Sequence, residues 1–580
     1  MSICERMSPM SAKELYDLWR KKATGDADLV KELESIEGQE EEIYDRFYRE
    51  LEFGTAGLRG VIGAGTNRMN IYTVRQTTQG LANYLKSRGD HPAVAIAHDS
   101  RIKARLFAEE SARVLAANGV KAYLTKELEP TPLLSFAVRE LSCQSGIMIT
   151  ASHNPAKYNG YKCYGPDGCQ MTDVAAGEVY AEIQKVDIFE GVKLMDFQQA
   201  VDNGMICYIE DDLLENYLDH VQEQSINPGV CKDAGLKVVY TPLNGAGNKL
   251  VRKILQRIGV TDVTVVPEQE NPDGNFPTCP YPNPEFREAL ELSLRLADQV
   301  KPDLVLATDP DSDRVGIAVK EGDSYRLMTG NETGIMLIHY ILSCRKASGT
   351  LPERPVAVKT IVTSEMVARI AEKYGCELRN VLTGFKYIGE QILNLEKDGE
   401  ANRYVFGFEE SYGYLAGTYV RDKDAVVASM LICEMAAYYR KQGKSLSDVI
   451  SELYAEYGYY QNTTLNFAFE GAAGMEKMKQ VMEGLRKNPP ASIAGRKVVR
   501  TADYLQSKAV DLVNGAEEAI NLPKSNVLSY FLEGGAAAIV RPSGTEPKIK
   551  VYVTSVGKDQ EDAAAITKQL ADEMSKMVQA

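Results

Sequence analysis

Histidine and tryptophan are scarce in this 580-residue sequence, and its cysteines follow no motif. Only five histidines and one tryptophan occur, and no histidines have the spacing of a zinc site. The ten cysteines are scattered, without the close pairing of a small disulfide scaffold. We therefore expect neither histidine-rich metal chemistry nor a fold held by disulfides, and we expect reduced thiols.

Long hydrophobic runs and a positive net charge are also missing. The longest mostly apolar run, residues 426–433, is far shorter than the roughly 20 residues that span a bilayer. Glu5, Arg6 and Lys13 stand where a signal peptide needs an apolar segment. The formal net charge of −15 repels nucleic acid and anionic membranes. We expect a cytoplasmic protein with no nucleic-acid or membrane partner, in which local basic loops bind any phosphorylated ligand.

The rest of the composition is that of a folded protein with several domains, since 580 residues exceed what one hydrophobic core supports. From Pro92 onward, short apolar runs alternate with amphipathic stretches, which predicts strands and helices in layered α/β units. The predicted elements in the first two units are residues 93–97, 104–117, 120–124, 133–141, 146–149, 236–240, 247–258 and 304–307. The pattern restarts at residues 355–362, so a third unit is expected.

The last section has a different pattern. From about residue 458, strand-like residues 463–469 and 548–554 accompany helix-like residues 473–485 and 562–578, which indicates an α+β domain. The predicted fold class is α/β, with three similar α/β domains in series and a C-terminal α+β domain. The first 50 residues are helix-rich and acidic, as expected of a packed or capping extension. The predicted domains are residues 1–225 with that extension, 226–335, 336–457 and 458–580.

The first candidate site is a polar turn directly after a predicted strand. Ser152 and His153 follow the strand-like residues 146–149, at the strand end where open α/β sheets bind ligands. A serine there can accept and return a phosphoryl group if a base takes its proton and cations offset the charge, and Lys162 follows closely. An ordinary turn is the alternative interpretation of this segment alone.

Three carboxylates follow another predicted strand at every second position. Asp309, Asp311 and Asp313 can face one hard cation from a turning backbone, with Arg314 next to them. A calcium-binding EF-hand loop does not fit, because its glycine position holds Arg314 and its final glutamate position holds Lys320. Magnesium fits best, since it accepts few protein ligands and leaves room for a phosphate oxygen. A solvated acidic turn is the alternative.

Two further loops can recognise a sugar phosphate. Glu409 and Ser411 are two residues apart and can hydrogen-bond adjacent sugar hydroxyls, although a helix cap is an equal alternative. Lys386 and Arg421 can add positive charge near them, or can be solvated surface residues. The phosphate-binding candidates of the second loop combine a guanidinium, hydroxyls and a glycine turn: Arg541, Ser543, Gly544 and Thr545.

Two segments near the N-terminal end add further basic groups. The glycine-rich residues 53–60 can bring Arg59 close to a phosphoryl group. Asp99, Ser100 and Arg101 come at the end of another apolar strand, as Ser152 does after residues 146–149.

In this order the motifs resemble the α-D-phosphohexomutase family, over nearly the whole chain from about residue 40. The resemblance implies four domains around a central cleft. It implies that Ser152 is the phosphoserine, and that the three aspartates hold one Mg²⁺ per chain with a phosphoserine oxygen. Glu409 and Ser411 would then bind sugar hydroxyls. Arg541 to Thr545 would hold the phosphate that does not react. Arg59, His153 and Lys162 would assist proton transfer and stabilise charge at the reacting phosphate, and Arg314 would contact sugar or phosphate.

The implied activity is a phosphosugar mutase with a bisphosphorylated intermediate and glucose 1,6-bisphosphate as activator. Gly413 stands where many members have histidine, and residues 53–60 and 412–414 are more similar to the branch with phosphoglucomutase-2-like and phosphopentomutase enzymes. Glucose 1-phosphate and glucose 6-phosphate are the first choice of substrates. The alternatives are a phosphopentomutase, a phosphomannomutase, a glucose 1,6-bisphosphate synthase, or a sugar-phosphate-binding protein without turnover. We expect sugar phosphates as partners and a monomer or weak homo-oligomer.

Overall fold

The computed structural model of the chain describes residues 10–54, 57–469, 471–543 and 548–579. These residues form two compact units. Unit 1 contains the described residues of Met1–Ser225, together with Lys237–Ile317 and Thr418–Met430. Unit 2 contains Ile226–Leu236, Ala318–Gly417 and the described residues of Leu431–Ala580. The serine loop (Ser152 and His153) and the aspartate loop (Asp309 to Arg314) therefore belong to unit 1, and the described candidates for sugar-phosphate binding at Glu409, Ser411, Arg541 and Ser543 belong to unit 2.

Three helices begin unit 1 and bury the single tryptophan of the chain. They are α1 (Ala12–Lys22), α2 (Ala27–Ser35) and α3 (Glu40–Phe47). Trp19 is fully buried, and its ring centroid lies 5.7 Å from that of Phe47 in an edge-to-face arrangement. The N-terminal extension is therefore a packed part of unit 1.

A six-stranded sheet follows in unit 1. Its strands are β1 (Gly57–Val61), β2 (Ala93–His98), β3 (Lys121–Thr125), β4 (Ser145–Ile149), β5 (Tyr158–Tyr164) and β6 (Ile206–Ile209). They lie in the order β1-β5-β4-β2-β3-β6. β2, β3, β4 and β6 are parallel, and β5 pairs antiparallel with β4 and β1. The helices of this section are α4 (Ile71–Lys86), α5 (Ala104–Ala117), α6 (Thr131–Glu140), α7 (Asp173–Ile183), α8 (Phe197–Asp202) and α9 (Asp211–Gln222).

The second sheet has its parallel core in unit 1. Its strands there are β7 (Lys237–Thr241), β8 (Asp262–Val265) and β9 (Leu304–Thr308), with β8 and β9 both parallel to β7. The helices between them are α10 (Gly247–Ile258), α11 (Pro267–Glu270) and α12 (Arg287–Val300). Along the chain, β10 (Val315–Glu321) then leads from unit 1 into unit 2, where β11 (Ser324–Met328) follows.

The third sheet belongs to unit 2. Its strands are β12 (Val356–Thr360), β13 (Glu377–Val381), β14 (Tyr404–Glu409) and β15 (Gly413–Leu415), in the order β13-β12-β14-β15. β13 and β14 are parallel to β12, and β15 is antiparallel to β14. The helices of this section are α13 (Gly330–Ser348), α14 (Met366–Tyr374), α15 (Phe385–Lys397), α16 (Ala425–Arg440) and α17 (Leu446–Tyr457). The first residues of α16 are counted with unit 1.

The C-terminal section of unit 2 is an antiparallel sheet with two helices. The strands are β16 (Tyr459–Ala468), β17 (Ser492–Ile493), β18 (Arg496–Asp503), β19 (Lys508–Asp511), β20 (Glu517–Ala519), β21 (Leu528–Leu532), β22 (Ala537–Pro542) and β23 (Lys548–Gly557). The order is β16-β23-β22-β21-β18-β19-β20, with β17 beside β18. The helices α18 (Gly471–Lys487) and α19 (Gln560–Gln579) contribute Met482 and Leu570 to its core.

The predicted fold class is confirmed: three α/β sections in series precede an α+β section. The apolar run at residues 146–149 is part of β4, and the amphipathic stretch at residues 104–117 is α5. The domain boundaries at residues 225, 335 and 457 stay predictions. None of the described helices is both long and apolar enough to cross a membrane.

Candidate active site

The serine loop leaves the carboxyl end of β4. Ser152 is 4% exposed and has a left-handed backbone with φ of 52°. Such a conformation is uncommon for a residue other than glycine and is retained where the surroundings hold it. Its amide donates to Thr150 Oγ1 at 2.8 Å, and this hydrogen bond fixes the backbone that leads into Ser152. The loop therefore presents Ser152 from a rigid, buried backbone.

The aspartate loop leaves the carboxyl end of β9 in the same way. Asp309 Oδ1 accepts hydrogen bonds from the amides of Asp313 at 3.1 Å and Arg314 at 2.9 Å, so the chain turns tightly around this carboxylate. Gly247, the first residue of α10, lets this helix approach the loop, because a Cβ there would lie 2.8 Å from Ser312 Oγ. One oxygen from each of Asp309, Asp311 and Asp313 lies within 4.8 Å of the others, and all three residues are buried.

The two loops meet at Ser152. Its Oγ donates to Asp309 Oδ2 at 3.0 Å. The same Oγ lies 3.1 Å from Nδ1 of His153, which is within hydrogen-bonding distance. A hydroxyl, a possible proton acceptor and a group of buried carboxylates therefore share one position. That combination can perform phosphoryl transfer at a serine.

Two lysines neutralise part of the negative charge. Lys162 lies on β5 and donates from Nζ to Asp311 Oδ2 at 2.9 Å, with Asp313 Oδ2 at 3.7 Å. Lys423 Nζ lies 3.2 Å from Asp313 Oδ2 and 3.0 Å from Asp422 Oδ1. The sequence predicted Lys162 as a site residue and missed Lys423. Only the Arg-Asp-Lys-Asp order at residues 421–424 could have indicated it, and this order by itself has no specific meaning.

The carboxylates have strongly perturbed proton affinities. Burial and the charges of Asp311 and Asp313 raise the pKa of Asp309 well above its ordinary value. Burial and the charge of Asp311 also raise the pKa of Asp313. Burial acts to raise the pKa of Asp311 too, but the charge and hydrogen bond of Lys162, with a hydrogen bond from Asp309 and the charge of Lys423, together lower this pKa. Ionisation of all three carboxylates therefore needs more positive charge than the neighbouring side chains supply.

A metal ion is the source of charge that fits the donor set. Oδ1 of Asp311 and Oδ1 of Asp313 are buried and accept no hydrogen bond from the part of the chain that the structure describes. A buried acceptor without a partner is costly, and a cation bound to both oxygens would remove that cost. An all-oxygen donor set of three carboxylates is typical of a hard divalent cation. The aspartate loop can therefore hold a metal.

His153 is surrounded by cations. Burial, with the positive charges of Arg314 and Arg59, lowers the pKa of His153 well below its ordinary value, so the ring is neutral at physiological pH. Arg59 lies on β1 opposite Gly160 of β5, on the strand that also carries Lys162. The Arg314 guanidinium donates to Glu285 Oε1 at 2.8 Å. A neutral imidazole beside a hydroxyl is able to accept a proton.

The predicted sugar loop lies in unit 2 at the end of β14. Glu409 is 4% exposed, and its Oε1 accepts a hydrogen bond from the Gly384 amide at 2.8 Å. Ser411 is half-buried in the turn that leads to β15. Lys386 is the second residue of α15, and its Nζ lies 5.0 Å from the ring centroid of Tyr387. The structure thus places these candidates at neighbouring strand and helix ends within unit 2.

The predicted phosphate loop follows β22. Arg541 pairs with Lys550 across β22 and β23, and it hydrogen-bonds Tyr552. The Ser543 amide donates to the carbonyl oxygen of Lys548 at 2.7 Å. Burial raises the pKa of Tyr552, with the charges of Glu410 and Glu409 acting in the same direction, so the sugar loop and Arg541 both lie near this tyrosine in unit 2. Gly544 and Thr545 lie outside the described residues.

Arg421 differs from the other candidates in its burial. Its side chain belongs to unit 1 and has no exposed surface. The guanidinium donates to the carbonyl oxygens of Thr418 and Val420. These bonds hold the segment that carries Lys423, and contact between Arg421 and a substrate stays a prediction.

Comparison with known proteins gives the same organisation. Models of the phosphoglucomutase/phosphomannomutase domains match the chain in series: α/β/α domain I at residues 50–188, α/β/α domain II at 215–322, α/β/α domain III at 329–457 and the C-terminal domain at 480–573. A phosphoglucomutase of Staphylococcus saprophyticus is 38% identical over 525 residues, covering 90% of this chain and 94% of that protein. A phosphoglucomutase of Staphylococcus haemolyticus is 37% identical over 511 residues, covering 88% and 91%.

Solved structures share the fold at low sequence identity. Parafusin from Paramecium, described as a phosphoglucomutase in an open form, superimposes with a TM-score of 0.68 at 17% identity, covering 92% of this chain and 96% of that chain. A phosphoglucomutase/phosphomannomutase family protein from Burkholderia thailandensis gives a TM-score of 0.65 at 18% identity, covering 91% and 96%.

Proposed function

The chain belongs to the phosphoglucomutase/phosphomannomutase family, and we propose that it interconverts α-D-glucose 1-phosphate and glucose 6-phosphate through a phosphoserine at Ser152. The relatives at 36–38% identity are phosphoglucomutases, which supports glucose phosphates as the substrates. The observation that carries the proposal is the 3.0 Å hydrogen bond from Ser152 Oγ to Asp309 Oδ2 in a buried cluster of carboxylates.

The proposed reaction has two phosphoryl transfers. In the first, the bond between phosphorus and Ser152 Oγ breaks while phosphorus bonds to the free hydroxyl oxygen of the sugar monophosphate. The net proton movement is from the sugar hydroxyl to Oγ. The resulting bisphosphate turns round, and its other phosphate returns to Ser152 by the reverse step. We assign the proton relay to neutral His153, whose Nδ1 lies 3.1 Å from Oγ.

We assign the charge neutralisation to the aspartate loop and the lysines around it. One Mg²⁺ per chain would be held by Asp309, Asp311, Asp313 and an oxygen of phosphorylated Ser152, and it would offset the negative charge of the transferring group. Lys162, which donates to Asp311 Oδ2 at 2.9 Å, lowers the pKa of Asp311 and so favours its ionised form. Arg59 and Arg314 contribute positive charge near His153.

Substrate recognition is assigned to unit 2. Glu409 and Ser411 would hydrogen-bond sugar hydroxyls, with the Glu409 carboxylate already oriented by the Gly384 amide. The non-reacting phosphate would be held by Arg541, Ser543, Gly544 and Thr545, and Lys386 and Arg421 would add positive charge. Glucose 1,6-bisphosphate would start the cycle by phosphorylating Ser152. We further propose a cytoplasmic enzyme that is a monomer or weak homo-oligomer.

A single-turnover experiment tests this function. Protein phosphorylated on Ser152 is mixed with an equal amount of glucose 1-phosphate and Mg²⁺, and intact-mass spectrometry follows the phosphate on the chain. We expect the phosphate to leave Ser152 as glucose 1,6-bisphosphate forms, and then to be regained. Phosphate that stays on Ser152 while none of the candidate sugar phosphates is converted to a bisphosphate or to its isomer would contradict the proposal. Transfer that requires a separate phosphate donor at every turnover would instead indicate a bisphosphate synthase.

A further inference from the structure

Arg101 is a fully buried arginine that contacts the serine loop from behind. It follows β2, and its side chain has no exposed surface. The guanidinium lies over the ring of Phe276, with 5.1 Å from Cζ to the ring centroid. A charged side chain is rarely buried in this way unless its donors are used. The groups that the Arg101 guanidinium contacts therefore indicate the role of this buried side chain.

Both terminal nitrogens of Arg101 donate to the main chain of the serine loop. Nη2 donates to the carbonyl oxygens of Ser152, at 2.5 Å, and of Asn154. Nη1 donates to those of Pro155, at 3.0 Å, and Tyr158, at 2.9 Å. One side chain thus holds four carbonyls between the end of β4 and the start of β5. Its planar, fixed donor geometry is suited to this, and a lysine could not reproduce it.

Asp99 connects Arg101 to the amide side of the same loop. Asp99 Oδ2 lies 3.5 Å from Arg101 Nε and accepts a hydrogen bond from Thr150 Oγ1 at 2.6 Å. Thr150 Oγ1 in turn accepts from the Ser152 amide. Arg101 therefore binds the carbonyl oxygens of the loop. Asp99 acts on the Ser152 amide through the Thr150 hydroxyl. These contacts surround the one residue of the loop with a left-handed backbone, Ser152.

We propose that Arg101, paired with Asp99, is a positioning residue for phosphoryl transfer: it sets the direction of Ser152 Oγ without touching substrate. The inference rests on the proposed transfer at Ser152. In-line transfer depends steeply on the placement of the nucleophile, and a misplacement of about 1 Å can cost about 100-fold in rate. Loss of the Arg101 contacts should therefore lower kcat while KM, which reflects the sugar and phosphate loops of unit 2, changes little.

The test compares Arg101→Lys with the same change at a partly buried, ion-paired arginine. Arg75 is 13% exposed in its side chain and pairs with Glu110 between α4 and α5 of unit 1, so Arg75→Lys controls for a lost buried contact. Full-length variants are phosphorylated with glucose 1,6-bisphosphate, and phosphate on Ser152 is quantified by mass spectrometry. Single-turnover transfer to glucose 1-phosphate, KM and thermal melting are then measured.

We expect Arg101→Lys to slow transfer per phosphorylated chain by roughly 100-fold with KM within about threefold, and Arg75→Lys to transfer at close to the wild-type rate. An Arg101→Lys protein that melts lower but transfers at the wild-type rate would overturn the inference. A wild-type protein that transfers to no sugar phosphate would overturn the proposed function instead.

A second pair of variants keeps the inference testable if Arg101→Lys does not fold. Thr150→Val removes the hydroxyl that links Asp99 to the Ser152 amide, and Thr150→Ser keeps it. We expect slow transfer by the valine variant and near wild-type transfer by the serine variant. Equal transfer rates for the two would overturn the role of the loop contacts.

Discussion

The hydroxyl of Ser152 and the carboxylate of Asp309 are 157 positions apart in the chain, and they are hydrogen-bonded at 3.0 Å. Each residue follows a parallel strand, Ser152 after β4 and Asp309 after β9. Because both loops lie at carboxyl strand ends, two separate sheets contribute one half each to the site. Neither half alone provides a nucleophile next to a metal-binding group.

Ser152→Ala should abolish mutase turnover, because no other group at this position can carry the phosphate. The fold should persist, since alanine and serine tolerate a positive φ about equally and only the Oγ contacts are lost. Coupled activity and thermal melting check both statements. Ser293→Ala is the matched control, a fully buried serine on α12 whose Oγ has no hydrogen-bond partner among the described residues. Appreciable activity of Ser152→Ala would disprove the phosphoserine assignment.

Asp311→Asn should weaken Mg²⁺ binding. A divalent cation that binds only the folded protein stabilises it by RT ln(1 + [Mg²⁺]/Kd), so Mg²⁺ should raise the melting temperature of the wild-type protein relative to chelator. The rise should shrink or vanish in Asp311→Asn, and it should persist in Asp298→Asn, whose side chain is 69% exposed. An unchanged rise in the Asp311 variant would mean that another site holds the cation.

Arg541→Ala should raise KM for glucose 1-phosphate. Hydrogen bonds to a charged group contribute about 1.5–3 kcal/mol, so an increase of roughly 10-fold to 100-fold is expected. The Mg²⁺ effect on melting should stay unchanged, because the aspartate loop is intact. Arg500→Ala in β18, where the arginine pairs with Glu518, is the control. An unaltered KM in the Arg541 variant would refute its phosphate role.

Glu129 should make stability depend on pH. It is 3% exposed, and burial, opposed by Lys249 and aided by Glu127, raises its pKa from 4.5 to about 8. A raised pKa means that the folded chain binds the proton more tightly than the unfolded chain, so the stability it adds is complete below pH 4.5 and is lost as pH rises towards 8.

Glu129→Gln removes that dependence. From about pH 5 to 8, the free energy of unfolding of wild type relative to this variant should fall by about 1.4 kcal/mol for each pH unit. Denaturant titrations at several pH values measure this difference. A flat difference for Glu129→Gln would show that the carboxyl is ionised throughout.

The fold was predictable wherever hydrophobic periodicity was clear. The amphipathic stretch at residues 104–117 forms α5 over the same residues, and the apolar residues 304–307 lie in β9. The helix α4 was missed, because its buried face carries Thr73, Thr77 and Gln79 in place of a continuous apolar stripe. Polar residues in that face are hydrogen-bonded within the core, as Thr77 is to the Thr73 carbonyl oxygen, and no local pattern indicates this.

The candidate site was predictable in its local motifs and unpredictable in its long-range partners. Ser152 and the three aspartates each stand directly after a recognisable strand. The contacts of Asp311 with Thr131 and Lys162 join distant positions, so periodicity carries no information about them. Burial was equally hidden: Arg421 was a charge candidate in the sequence and has a fully buried side chain in the structure. The roles of the site residues stay predictions for the experiments above.

The central claim is tested most directly by coupled mutase activity with Mg²⁺ and a trace of glucose 1,6-bisphosphate. The 1-phosphates of glucose, mannose, ribose and deoxyribose are compared in parallel, with phosphate on Ser152 measured in the same protein by mass spectrometry. We predict turnover with a clear preference for glucose 1-phosphate. Activity on none of the four sugars, in protein that carries phosphate on Ser152, would contradict the assignment of this chain as a phosphosugar mutase.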